Sequence, residues 1–129
     1  MQSPLDNVVS AYTKDIEHHL PIHPEYAATI LDEVAAEDAV FTVDTGMNNV
    51  WAARYLTPTG RRRVIGSFLH GSMANALPHA IGAQLAYPGR QVISMSGDGG
   101  LGMLLGAPLT VAMHQLAVKI ITLTTPRLG

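Results

Sequence analysis

The apolar run QVISMS, residues 91–96, ends in Gly97-Asp98-Gly99-Gly100 and then passes into a second apolar run, LGMLLGAPLTVAMHQ. Glycines allow a tight turn and a close approach of backbone to a ligand. Backbone amides at such a turn, opening a helix, attract phosphate. Asp98 is out of place in a site for phosphate alone, because its charge opposes the anion. The opposition is lifted if Asp98 ligates Mg2+ and the metal also binds the phosphate oxygens. The four residues fit a magnesium-bridged diphosphate, and they fit equally a plain strand-to-helix turn with Asp98 as its N-cap. The pattern G-x-x-x-x-G-K-[ST] is absent, so a P-loop is not indicated. Two further turns have a similar character, Asp44-Thr45-Gly46 and Gly71-Ser72-Met73.

Three turns can act on one ligand only if the elements before them end together. The β-branched runs AVFTVD (39–44), RRVIGS (62–67), QVISMS and AVKIITL (117–123) predict strands. Tyr26, Ile30, Leu31 and Val34 recur at helical spacing behind Pro24, which suits a first turn, and predict a helix over residues 23–38. Further helices are expected over 48–56, over 73–89 with Pro78 bending it or marking its first turn, and over 101–115, a buried helix with an early proline. This alternation predicts an α/β fold, a parallel sheet flanked by helices on both faces. In such sheets ligands sit beyond the carboxyl ends of the strands, where all three turns fall. Residues 1–22 read as a connector and residues 23–129 as the diphosphate-binding unit, with no internal repeat.

Composition limits the partners. Charged residues make up 14% of the chain, against about a quarter in ordinary soluble domains, so part of the surface is expected to be covered by a partner or by another part of the protein. A formal net charge of −2 gives no basic footprint for nucleic acid. Without cysteine there are no disulfides and no thiolate metal sites. The N-terminus has no signal-peptide pattern, and a cytoplasmic location is expected. Residues 99–118 carry no formal charge and approach transmembrane length, but four glycines, Pro108, His114 and Gln115 interrupt them, and a buried helix followed by a strand is the preferred reading.

The stretch VIGSFLHGSMANALPHAIGAQLAYPGRQVISMSGDGG resembles the cofactor-binding domain of thiamine-diphosphate enzymes. Together with VDTGMNN and VWAARYL it is most similar to the bacterial pyruvate dehydrogenase (quinone), or pyruvate oxidase, group, with acetolactate synthase a more distant relative. The resemblance implies oxidative decarboxylation of pyruvate to acetate and CO2, with thiamine diphosphate and Mg2+ as cofactors. It implies FAD on a domain not represented here, homo-oligomers, and a pyrimidine-binding domain supplied by a partner subunit. It also implies a peripheral link to the inner membrane in full-length relatives. By the same resemblance Asp98 ligates Mg2+, and Gly99 and Gly100 face the diphosphate. Gly46 and Asn48 lie near the diphosphate, while Gly71, Ser72 and Met73 meet the aminopyrimidine. The Met73 side chain would wedge the cofactor into its bent form, so that the cofactor's imino group reaches its own thiazolium proton. The activating glutamate belongs to the other domain, so no catalytic residue is assigned to this chain, and the chain by itself is expected to be inactive.

The family's second metal motif is a pair of asparagines. The register places Thr124-Thr125 there, inside Leu123-Thr124-Thr125-Pro126. Thr125 is then a degenerate metal position and the Arg127 carbonyl the following ligand. Codons for Phe-Asn-Asn-Ser read one base later give Leu-Thr-Thr-Pro, so the chain is expected to be a frameshifted, truncated domain, which the downstream gene sequence decides. The alternatives are an inactive remnant or interaction module, a fragment of an acetolactate-synthase-like carboligase, and a small membrane-associated protein. Among other residues, His18, His19 and His23 read as a solvated connector in preference to a metal site. Arg61-Arg62-Arg63 read as a solvated strand entry in preference to anion steering, and Trp51 as packing. His70 faces the ligand or makes a structural hydrogen bond.

Overall fold

The computed structural model describes residues 10–11 and 14–124. After α1 (Pro24–Val34) come β1 (Val40–Val43), α2 (Met47–Tyr55), β2 (Arg63–Gly66), α3 (Ala76–Ala86) and β3 (Val92–Gly97), then α4 (Asp98–Met103), α5 (Gly106–Met113) and β4 (Lys119–Leu123). The four strands form one parallel sheet in the order β2-β1-β3-β4. The predicted α/β class and parallel sheet are therefore found. The expected metal positions Thr125 and Arg127 lie outside the described residues.

Strand alternation divides the core between the two faces of the sheet. Phe41 and Val43 of β1 with Ile93 and Met95 of β3 pack toward α1 and α2, meeting Leu31, Ala35 and Ala52. Val40 and Val92 point the other way, onto Leu77, Ala80 and Ala83 of α3 and Val111 of α5. The two central strands are buried along nearly their whole length, which is why they read as continuous apolar runs and not as alternating ones. Pro24 and Pro78 both fall in first turns, of α1 and α3, where a missing N–H costs nothing.

The segment expected as one buried helix over 101–115 is two short helices. α4 stops at Met103, and α5 restarts at Gly106 after Leu104 and Leu105. Nor is the segment buried: α5 has no buried residue, and Leu105, Leu109 and Met113 are well exposed. Among the described residues no helix is long and apolar enough to cross a membrane. The end of α5 is a left-handed cap. Gln115 has φ of 49°, its N–H donates to Ala112 O at 3.1 Å, and Leu116 N–H donates to Val111 O at 3.0 Å. Glycine is the residue that takes this conformation without penalty. Gln115→Gly is expected to raise stability by about 0.5–1 kcal/mol, the net of left-handed strain and glycine's extra entropy. A lower urea midpoint would contradict it.

The strand entry is solvated as expected at Arg61 and Arg63 but not at Arg62. The Arg62 side chain is 8% exposed and pairs with Asp32. It donates to the Asp32, Ala35 and Ala36 carbonyls at the end of α1. Arg61 and Arg63 stay exposed, Arg61 near Glu37 and Asp38.

Candidate functional site

β1 and β3 are neighbours, but the chain leaves them in opposite directions: β1 leads through α2 to β2 on one side, and β3 leads through α4 and α5 to β4 on the other. The gap beyond their carboxyl ends is the topological switch point of the sheet, the place where α/β folds bind ligands. A cavity of about 230 Å3 opens there. Asp44 and Thr45 line it from the end of β1, Met47, Asn48 and Trp51 from α2, and Met73 from the loop before α3. Residues 97–100 and Leu123 close the remaining side.

The three glycine-bearing turns converge as the sequence suggests. Thr45 Oγ1 donates to Ser72 O at 2.7 Å, tying the β1 turn to the loop that carries Met73. Met73 Cε comes within 3.8 Å of where a Cβ would stand on Gly99, so the second and third turns face each other. Of the expected cofactor residues, Asn48, Met73, Asp98, Gly99 and Gly100 line the cavity. Gly46, Gly71 and Ser72 do not line it but form the turns beneath it. Gly46 adopts φ 123°, ψ −151°, a region essentially closed to side chains, and this conformation lets β1 break directly into α2.

The helix α4 begins at Asp98, with Gly97 as its N-cap, so Asp98 is the first helical residue and not the cap. Asp98 is solvent-exposed, and its Oδ1 accepts the Gly99 N–H at 2.9 Å. Gly100 is buried, and a Cβ there would stand 2.1 Å from Asp44 Oδ2, so no side chain fits. The cavity holds two carboxylates, Asp44 and Asp98, and none of its lining residues is Lys, Arg or His. Two of its buried oxygens, Asp44 Oδ2 and Asn48 Oδ1, have no hydrogen-bond partner, and neither does Trp51 Nε1. The two oxygens suit a ligand that arrives with positive charge, and the indole N–H suits one that also brings an acceptor.

Sequence reasoning missed two of these residues. Trp51 packs on Ala28 and Tyr55 as expected, but it also forms part of the cavity wall. In the sequence Asp44 reads only as part of a turn, though a carboxylate closing an apolar strand just before Gly46 is a visible signal. The histidines contribute nothing to the cavity. His70 is exposed, and His79 Nδ1 lies 3.1 Å from Asn75 Oδ1. His19 and His23 stack edge to face, and among the described residues no group of three or more His, Asp or Glu is placed to hold a metal.

A parallel sheet with a glycine-walled, carboxylate-bearing cleft at its switch point defines a cofactor-binding α/β domain. Residues 44–125 match the family described as "Thiamine pyrophosphate enzyme, C-terminal TPP binding domain", and the chain belongs to that family. It is 35% identical over 115 residues to the "Putative thiamine pyrophosphate-containing protein YdaP" of Bacillus subtilis, covering 89% of this chain and 20% of that protein. It is 34% identical over 108 residues to the chloroplastic acetolactate synthase 2 of Zea mays, covering 84% of this chain and 17% of that one. The acetolactate synthase large subunit IlvB1 of Mycobacterium tuberculosis is also 34% identical, with 84% of this chain and 18% of that protein covered. The chain thus spans about a fifth of the length of these relatives. Two of these three relatives are named acetolactate synthases and none is named a pyruvate oxidase, so the family is borne out and the expected pyruvate oxidase group is not specifically supported.

Proposed function

We propose that this chain binds the diphosphate end of thiamine diphosphate through Mg2+, as the cofactor-binding part of an enzyme that acts on a 2-oxo acid such as pyruvate. The observation that carries the reading is the charge of the cleft. A diphosphate placed between Asp44 and Asp98, with no basic side chain in the wall, is repelled unless a divalent cation comes with it. Asp98, exposed at the turn, is the residue to hold that cation. The amides of the Gly97–Gly100 turn and Asn48 would take phosphate oxygens, and Met73 would support the rings. When bound, thiamine diphosphate supplies a carbon nucleophile and an electron sink for breaking the bond beside the substrate's carbonyl. This chain's part is to bind, orient and exclude water.

Two finer readings have separate support. Oxidative decarboxylation of pyruvate rests on the HGSMANA stretch and its surroundings. Acetolactate-type carboligation rests on the names of the relatives. In either case a second domain is expected to complete the site, and the apolar surface of Met47, Val50, Phe68 and Leu69 beside the cavity supports that expectation. A complete enzyme assayed with pyruvate decides between them by its product, acetate or acetolactate.

Trp51 is the single tryptophan of the chain and 5% exposed in the cavity wall. Its emission is expected to change saturably when thiamine diphosphate and Mg2+ are added together. Little change is expected with thiamine diphosphate plus a chelator. Identical titrations with and without Mg2+ would contradict the metal-bridged reading, and no change in either would contradict binding at this cavity.

A further inference from the structure

Asp44 is a carboxylate with two separate tasks on its two oxygens. It closes β1 and is 1% exposed, and its own N–H donates to Met95 O at 2.9 Å, fixing it between the central strands. Its Oδ1 accepts the Asn75 N–H at 2.8 Å, the Asn75 side-chain amide at 3.0 Å and the Ala76 N–H at 3.3 Å. These donors stand at the start of α3, directly after the Met73 loop, where the positive end of an 11-residue helix favours an anion. Asn75 then donates from the same side chain to Ser72 O, so the loop is held at both ends. The other oxygen, Oδ2, is buried, has no hydrogen-bond partner and lies 2.1 Å from the position of a Cβ on Gly100. One carboxylate therefore grips the Met73 loop and abuts the Gly97–Gly100 turn.

We infer that Asp44 is a positioning residue that sets the gap between these two turns. Its consequence for ligand binding rests on the thiamine-diphosphate reading above, in which the two turns hold opposite ends of one molecule. The brace itself rests on the contacts alone. Gly100 is glycine because Asp44 occupies the space of its side chain, and removing the carboxylate makes room for a methyl group.

The test is a double-mutant cycle on the full chain, with two readouts. The variants are Asp44→Ala, Asp44→Asn, Gly100→Ala and the double Asp44→Ala/Gly100→Ala. By thermal denaturation, Gly100→Ala is expected to fall by about 5 °C or more, or to fail to fold. The double variant is expected to return to within about 2 °C of Asp44→Ala, because neighbours in contact are not additive. By calorimetric titration with Mg2+-thiamine diphosphate, Asp44→Ala is expected to lose at least about tenfold in affinity at a temperature where it is folded. Asp44→Asn keeps the shape and the Oδ1 acceptor, and is expected to lose less affinity than Asp44→Ala. Additive losses in the double variant would overturn the brace. If Asp44→Asn loses affinity as severely as Asp98→Ala, Asp44 acts by its charge on the bound metal, and the positioning role is overturned. If the parent chain binds no thiamine diphosphate, the functional reading fails, and the thermal cycle still decides the brace.

Discussion

Asp98→Ala is expected to weaken binding of Mg2+-thiamine diphosphate by at least about a hundredfold, a loss of roughly 2.7 kcal/mol, while leaving the fold unchanged. Both halves of that expectation come from its position. Asp98 is exposed, and the only described hydrogen bond of its side chain is the one it accepts from the neighbouring Gly99 N–H, so nothing in the core depends on that side chain. For binding, the cleft offers no basic side chain to hold a diphosphate directly, and metal ligation by a carboxylate is the means left. Asp98→Asn should fall between the two, since an amide oxygen is a weaker, neutral ligand. The check is calorimetric titration of variants whose thermal midpoints match the parent. A loss below about threefold in Asp98→Ala would remove the metal clamp from this turn.

Arg62→Ala is expected to cost about 3 kcal/mol of stability, the scale seen when one partner of a buried ion pair is removed. Arg62 Nη1 lies 2.5 Å from Asp32 Oδ1, and the guanidinium reaches three carbonyls at the end of α1. Asp32 in turn accepts the Thr57 N–H and hydroxyl, each at 2.7 Å. Removing the guanidinium strands a carboxylate and several carbonyls, and it loosens both α1 and the segment after α2 from the start of β2. Arg62→Lys keeps the charge but not the fork, and should recover only about half of the loss. Urea denaturation measures both, and a cost under about 1 kcal/mol for Arg62→Ala would show the pair to be incidental.

The elements around the site were legible because their signals are local. Buried β-branched runs mark β1 and β3, and prolines mark the first turns of α1 and α3. The glycine turns named the carboxyl edge of the sheet as the place of chemistry. What escaped the sequence lies in contacts between distant positions. Asp44 acquires its role from residues 31 and 32 positions later, at Asn75 and Ala76. Arg62 is buried by Asp32, 30 positions earlier, and no local pattern separates it from the solvated Arg61. The run 101–115 misled for another reason. A segment apolar all round has no periodicity to show where a helix stops, and its composition reports what needs covering, not what is covered.

The edge of the sheet bears on how the protein behaves in quantity. β4 pairs with β3 on one side and, among the described residues, with no strand on the other. Its outer rim is a short row of backbone donors and acceptors on a β-branched segment that follows α5, where Leu109 and Met113 are exposed. Such a rim is a template on which a second molecule can add its own strand. Colloidal stability, and with it the concentration at which this chain can be handled, therefore depends on the five residues of β4, the last of which, Leu123, also closes the cavity that Asp44 lines.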